Sequence, residues 1–186
     1  MRTLEATSAQ RPPRVLGLDL SLRSTGVALP DGTTLRIRTR AQDGDARLQE
    51  VRAWLTEVVL GTRPDLAVIE DLPTHAKGAG ITGHVHGVTK VVLLDADVPY
   101  ALVPPATLKS FATGSGAANK RRMAEAARRR TGVSFPGDLT PRGTGGDMCD
   151  AWWLRAAGRQ QLGWPVVALP APQLARLTAV TWPSRL

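Results

Sequence analysis

RVLGLDLSLRSTGVALP, residues 14–30, places a single aspartate, Asp19, inside an otherwise apolar run. Val15, Leu16 and Leu18 predict a strand, Ser24-Thr25-Gly26 a turn, and Val27 to Leu29 the start of a second strand. A carboxylate in a buried strand has to be paired, neutralised or metal-bound, because desolvating an isolated charge costs many kcal/mol. Asp19 therefore needs partners. Three acids stand in matching contexts: Glu70 closes the run LAVI at 66–69, and Asp147 and Asp150 open a later helical segment.

Outward from this stretch, residues 14–38 carry three short apolar strands with turns at 23–26 and 30–32, the pattern of an antiparallel meander. Asp43 or Asp45 is placed to cap a helix running to about residue 60, with Leu48, Val51, Leu55, Val58 and Val59 on its apolar face. A strand at 65–70, a glycine-spaced helix at 79–95, a strand at 100–103 and a short helix begun by Pro104-Pro105 follow. That β-helix-β-helix-β order predicts parallel pairing of the later strands. The fold class is therefore α/β, a mixed five-stranded sheet flanked by helices. A basic helix is expected at 117–130, a Gly/Pro-rich loop at 132–146 and a helix at 146–158. The tail, residues 159–186, reads as an extension packing on this domain, with a strand at 166–169 and a helix from 171 to about 180. Residues 1–13 read as a disordered basic arm and 14–158 as the domain itself.

A chain of 186 residues supports one sizeable core, and a net charge of +8 calls for a polyanionic partner, nucleic acid before an anionic membrane surface. No apolar run has the length of a membrane span and the N-terminus has no apolar signal core, so a soluble cytoplasmic protein is expected. One cysteine, Cys149, excludes an intrachain disulfide and a thiolate metal cluster. Only four of the 24 basic residues are lysines: Lys77, Lys90, Lys109 and Lys120.

Asp147 and Asp150, spaced i, i+3, project from one face of a helix. Taken alone, two acids there read as complementing the helix dipole. Asp19 and Glu70 change that balance, because a fourth strand returning beside the first would bring both strand ends to one edge, under a helix carrying the other two acids. Four gathered carboxylates raise one another's pKa unless a hard divalent cation sits among them. All-oxygen ligation favours Mg²⁺ or Mn²⁺, and two such ions are an arrangement that hydrolyses phosphodiesters.

The motifs GLDLSLRSTGVAL, LAVIED, GHVHGVTKVVLLDADVPYALVPPATLKSFATGSGAANK and GGDMCDAWW, in that order and spacing, resemble a RuvC-type Holliday junction resolvase of the RNase H-like superfamily. The resemblance covers roughly residues 14–158, and its AWWLRA block and tail look most like phage or actinobacterial members. It implies that Asp19, Glu70, Asp147 and Asp150 are the catalytic metal ligands for two ions, and that Lys109 and Lys120 contact DNA near the active site. It also implies a homodimer cutting opposed strands of a four-way junction symmetrically, with a branch-migration helicase or phage packaging machinery as further partners. Two departures stand out. Pro73 occupies the place of an aromatic wedge, so the wedge either comes from elsewhere, with His75 as a candidate, or is missing, and Leu20-Ser21 displaces the glycine that usually follows the first aspartate.

Gly83 and Gly87, four apart on the central helix, suit either a dimer seam or close packing within the subunit. His84 and His86 diverge on a helix and read as surface or DNA-facing residues rather than zinc ligands. Cys149 reads as a small buried helix residue. GSGAANKRR lacks the spacing of a nucleotide-binding loop, but its turn can aim N–H groups at a DNA phosphate beside Lys120, Arg121 and Arg122. Arg128 to Arg130 read as a solvated helix end, and Trp54 with one of Trp152 and Trp153 as core. An actin-like ATPase needs two such lobes, about twice this length. A junction-binding scaffold without cleavage is the remaining alternative.

Overall fold

The computed structural model describes residues 11–72, 79–136 and 146–184. Three strands, Val15–Asp19 (β1), Ser24–Ala28 (β2) and Thr34–Arg38 (β3), form the antiparallel meander. A helix, Ala46–Thr62 (α1), then leads to Leu66–Glu70 (β4), which returns parallel to β1. Another helix, Ala79–Asp95 (α2), leads to Tyr100–Val103 (β5), parallel to β4. The sheet order is β3-β2-β1-β4-β5, mixed and five-stranded as expected. Pro105–Thr113 (α3), Lys120–Thr131 (α4) and Gly146–Gln161 (α5) complete the regular helices.

Side-chain alternation along β1 and β4 divides the core in two. Leu16, Leu18, Ala67 and Ile69 face α1 and α2, joining Val51, Leu55, Val59, Val85 and Leu93. Val15, Leu66 and Val68 face the other layer, where α3, α4 and α5 supply Phe111, Met123, Trp153 and Leu154. Because β1 and β4 are central, nearly every side chain on both faces is buried, which accounts for their continuous apolar sequences.

Helix α5 lies so close to the sheet that glycine is required beneath it. A Cβ on Gly26 would stand 2.0 Å from the Asp147 carbonyl oxygen, and one on Gly17 would stand 2.0 Å from that of Ala151. Ser24, Thr25 and Gly26 are consequently strand residues rather than the expected turn. The turn occupies 20–23, where the Thr25 hydroxyl donates to the Ser21 carbonyl at 2.7 Å and accepts the Ser21 N–H at 3.2 Å. Gly158 does not end α5, since it fits against Val15 and Val68 and the helix continues to Gln161.

Other local expectations shift. Asp45 precedes α1 without a side-chain capping bond. Helix α4 starts at Lys120 rather than 117, where Asn119 accepts the Arg122 N–H at 3.0 Å. No strand forms at 166–169: the Arg130 guanidinium donates to the Ala168 carbonyl at 3.1 Å and to Gln173 Oε1 at 3.2 Å, while Val167 enters the core. Instead of one helix from 171, a single turn, Ala171–Leu174, passes into a 3₁₀ segment, Ala175–Ala179, and Gln173 Nε2 donates to the Phe111 carbonyl at 2.7 Å. Both Trp152 and Trp153 are core residues, at right angles to each other. Arg11 is held by Asp65 at 2.8 and 2.7 Å, while the rest of the expected arm, residues 1–10, lies outside the described residues. Among the described residues no helix is long and apolar enough to cross a membrane.

Candidate active site

Asp19 and Glu70 end the two parallel strands β1 and β4, one step beyond the register pair Leu18 and Ile69. By strand alternation both carboxylates fall on the same face as Gly17 and Val68, beneath α5. The close approach of α5 over Gly17 and Gly26 then lowers its first turn, with Asp147 and Asp150, onto that corner of the sheet. All four acids line one open cavity of about 750 Å³, together with Lys109, Lys120, Arg23, Ser24 and Asn119. The sequence thus named the whole acidic set, and the fold brings it together.

The electrostatics are those of crowded carboxylates. Burial first, then the charges of Glu70, Asp150 and Asp147, hold Asp19 well above the usual carboxylate range. Burial and Asp150 push Glu70 from 4.5 up to about 7, although Lys109, Lys120 and a hydrogen bond from Asp19 oppose the rise. Burial also carries Asp150 from 3.8 to about 6, against Lys120, with Asp147 adding to the rise and Lys109 opposing it. Both oxygens of Asp147 are engaged: Oδ1 accepts from Lys120 Nζ at 2.8 Å and Oδ2 from the Ser24 hydroxyl at 2.6 Å. Burial lowers the Lys120 pKa, but the bond to Asp147 and the surrounding negative charge outweigh it, and the net direction is upward.

With Asp147 turned to Lys120 and Ser24, no three acidic side chains converge on one point among the described residues. The donor chemistry nevertheless fits hard divalent cations, because the carboxylates are oxygen donors whose mutual repulsion an ion would relieve. Lys120 shows what that corner demands, since its ammonium supplies positive charge where the acids crowd.

Lys109 and Lys120 stand at the cavity, whereas Arg121 and Arg122 do not line it. Arg121 pairs with Glu125 at 2.9 Å and Arg122 is exposed on α4. The glycine-rich turn before α4 does not open the helix directly, since Asn119 takes the Arg122 N–H for itself. Cys149 is buried between the two aspartates. His84 is exposed, but His86 is buried at 4%, contrary to its reading as a surface residue, because α2 turns that position inward beside Val85. Pro73 and His75 lie outside the described residues. Ser24 and Arg23 were missed. Their signal was available only as polar residues directly before the Thr-Gly of β2, and nothing local ties them to a helix more than 120 residues later.

No family profile matches the chain. It is 36% identical over 123 residues, 60% of its own length and 69% of the relative's, to the crossover junction endodeoxyribonuclease RuvC of Sorangium cellulosum. To the protein of the same name from Mannheimia succiniciproducens it is 31% identical over 116 residues, 57% of this chain and 58% of that one. Among solved structures, Thermus thermophilus RuvC in complex with a Holliday junction substrate matches with a TM-score of 0.66 at 21% identity, covering 84% of this chain and 99% of that one.

Proposed function

This chain belongs to the RuvC family of crossover junction endodeoxyribonucleases, and on that premise we propose that it is a structure-specific nuclease hydrolysing phosphodiester bonds in Holliday junctions or related branched DNA. The observation that carries the reading is the one cavity that Asp19, Glu70, Asp147 and Asp150 all line beneath α5, with Lys109 and Lys120 beside them. Residues 14–158 form the nuclease domain, and 159–186 an extension of it.

Asp19, Glu70, Asp147 and Asp150 would hold two Mg²⁺ or Mn²⁺ ions, which would supply an activated water and stabilise the leaving oxygen. The chain's own residues do the rest. Asp19 lies among the charges of Glu70, Asp150 and Asp147 and would be a metal ligand with them, and Ser24 fixes the rotation of the Asp147 carboxylate. Lys120 would turn from Asp147 to the scissile phosphate, and Lys109 would meet the same phosphate from α3. Arg121 and Arg122 extend the positive surface along the duplex.

A junction is cut twice, so a second copy is required. Helix α2 offers exposed apolar surface for it: Ile81, Val91 and Leu94 are 56%, 50% and 65% exposed. Among the described residues, a Cβ on Gly87 would meet nothing within 4 Å and one on Gly83 only the tip of Leu72 at 4.0 Å, so their packing within the subunit gives neither glycine a reason. A homodimer seam does. A branch-migration helicase or a packaging machine would act around this dimer.

The test is cleavage of an immobile four-way junction with Mg²⁺ or with EDTA, by the protein and by Asp19→Asn. Metal-dependent paired nicks, lost in the variant while junction binding persists, are expected. Binding without cleavage under every metal condition would replace the nuclease with a junction-binding scaffold, for which four crowded carboxylates have no use.

A further inference from the structure

A second polar cleft, of about 540 Å³, opens beside the acidic cavity and shares Arg23 and Ser24 with it; Arg38, Thr39 and Arg40 form its other wall. Two hydrogen bonds tie the walls together. The Thr39 N–H donates to the Arg23 carbonyl at 3.3 Å, and the Thr39 hydroxyl donates to the Leu22 carbonyl. Arg38 pairs in register with Ser24, so both point to the sheet face carrying α5, and Ser24 is the residue whose hydroxyl reaches Asp147. The cleft therefore continues the floor of the active site toward the free edge of the sheet.

Its charge is one-sided. Arg23, Arg38 and Arg40 have no acidic partner among the described residues, unlike Arg11, Arg14 and Arg121, which each have one. An edge strand commonly carries charge to deter pairing with other strands, and that would account for Arg38 alone. It does not account for Arg23 and Arg40, which lie off the strand and line the same space. Three arginines lining one polar cleft suit an anionic oxygen ligand, and beside a cavity that takes DNA that ligand is a backbone phosphodiester.

We propose that this cleft binds a backbone phosphate of the DNA strand being cut, next to the scissile one, so that Arg23, Arg38 and Arg40 set how the strand enters the acidic cavity. The inference rests on the nuclease reading of the acidic cavity. Since the cleft adjoins that cavity through Arg23 and Ser24, one continuous strand occupies both.

The experiment measures junction binding by fluorescence anisotropy in Ca²⁺ across a salt series, for the protein and for an Arg38→Ala/Arg40→Ala variant. It uses an unmodified junction and a set with one uncharged methylphosphonate linkage at each position near the cut. The variant is expected to bind severalfold more weakly, with a salt slope lower by about 0.9 for each phosphate it no longer neutralises. One methylphosphonate adjacent to the scissile position should weaken the parent protein similarly and leave the variant's affinity unchanged. A variant with parental affinity and salt slope, beside a parent that cuts junctions, overturns the subsite alone. Weaker binding without a methylphosphonate position that reproduces it overturns the subsite in favour of diffuse attraction. A parent that neither binds nor cuts the junction removes the nuclease reading and the subsite with it.

Discussion

Replacing Asp150 by Asn is expected to stabilise the metal-free protein at neutral and alkaline pH. Asp150 is 9% exposed, and burial carries its carboxyl from 3.8 to about 6. In the unfolded chain it ionises near the ordinary value, so below pH 3.8 both states carry the neutral acid and stability is unaffected. As pH rises through about 6 the folded state must accept a charge it disfavours, and stability falls. At 1.36 kcal/mol per pH unit, the displacement corresponds to about 3 kcal/mol at pH 8. Asparagine keeps the shape and never ionises. For a chain of this size, with roughly 2–4 °C per kcal/mol, the variant should melt about 6–12 °C higher in EDTA at pH 8. The advantage should shrink to about 1 kcal/mol at pH 4.5, where the folded parent is itself largely protonated. Adding Mg²⁺ should raise the melting temperature of the parent at pH 8 and narrow the gap, because a ligand for the folded state stabilises it by mass action. A variant that is no more stable at pH 8, or whose gain is the same at pH 4.5 and pH 8, would refute the account of Asp150 as a destabilised carboxylate.

Lys109→Ala and Lys120→Ala should each reduce the single-turnover cleavage rate of prebound junction by about tenfold or more while changing junction affinity less, as expected for interactions that strengthen in the transition state; normal cleavage with weaker binding would make them ordinary phosphate contacts. Gly87→Leu should shift the sedimentation profile at low concentration from dimer toward monomer, without lowering the melting temperature of the monomer, since a Cβ there meets nothing within 4 Å among the described residues. Gly26→Ala should cost about 1–3 kcal/mol by overpacking against the Asp147 carbonyl and should abolish cleavage, whereas Gly61→Ala, in open space on α1, should stabilise by up to about 1 kcal/mol; equal melting temperatures for these two variants would contradict the packing of α5.

The acidic set was legible in the sequence because each member is a local anomaly. Asp19 and Glu70 end apolar runs where a charge is costly, and Asp147 and Asp150 repeat at helical spacing ahead of an apolar helix. Strand order was legible too, because a meander followed by helix and strand has few ways to close. What escaped were features whose cause lies across the fold. Ser24-Thr25-Gly26 carries the composition of a turn, and only the descent of α5 onto β2 makes Gly26 a strand residue with a steric purpose.

The same distant packing explains why Ser24 and Arg23 escaped a reading of the sequence alone. Periodicity places Ser24 on the α5 face of β2, yet its importance depends on Asp147 lying above it, and that follows from the two glycines that let α5 approach. Gly17 and Gly26 each precede an apolar residue of the opposite core, Leu18 and Val27, so in each strand one side of the sheet is filled with bulk while the other is emptied for the helix. The position of the acidic corner is therefore set by an absence of side chains as much as by the four carboxylates. Moving α5 outward by the width of one methyl group would separate Asp147 and Asp150 from Asp19 and Glu70, break the bond between Ser24 and Asp147, and loosen the wall shared by the acidic cavity and the arginine cleft.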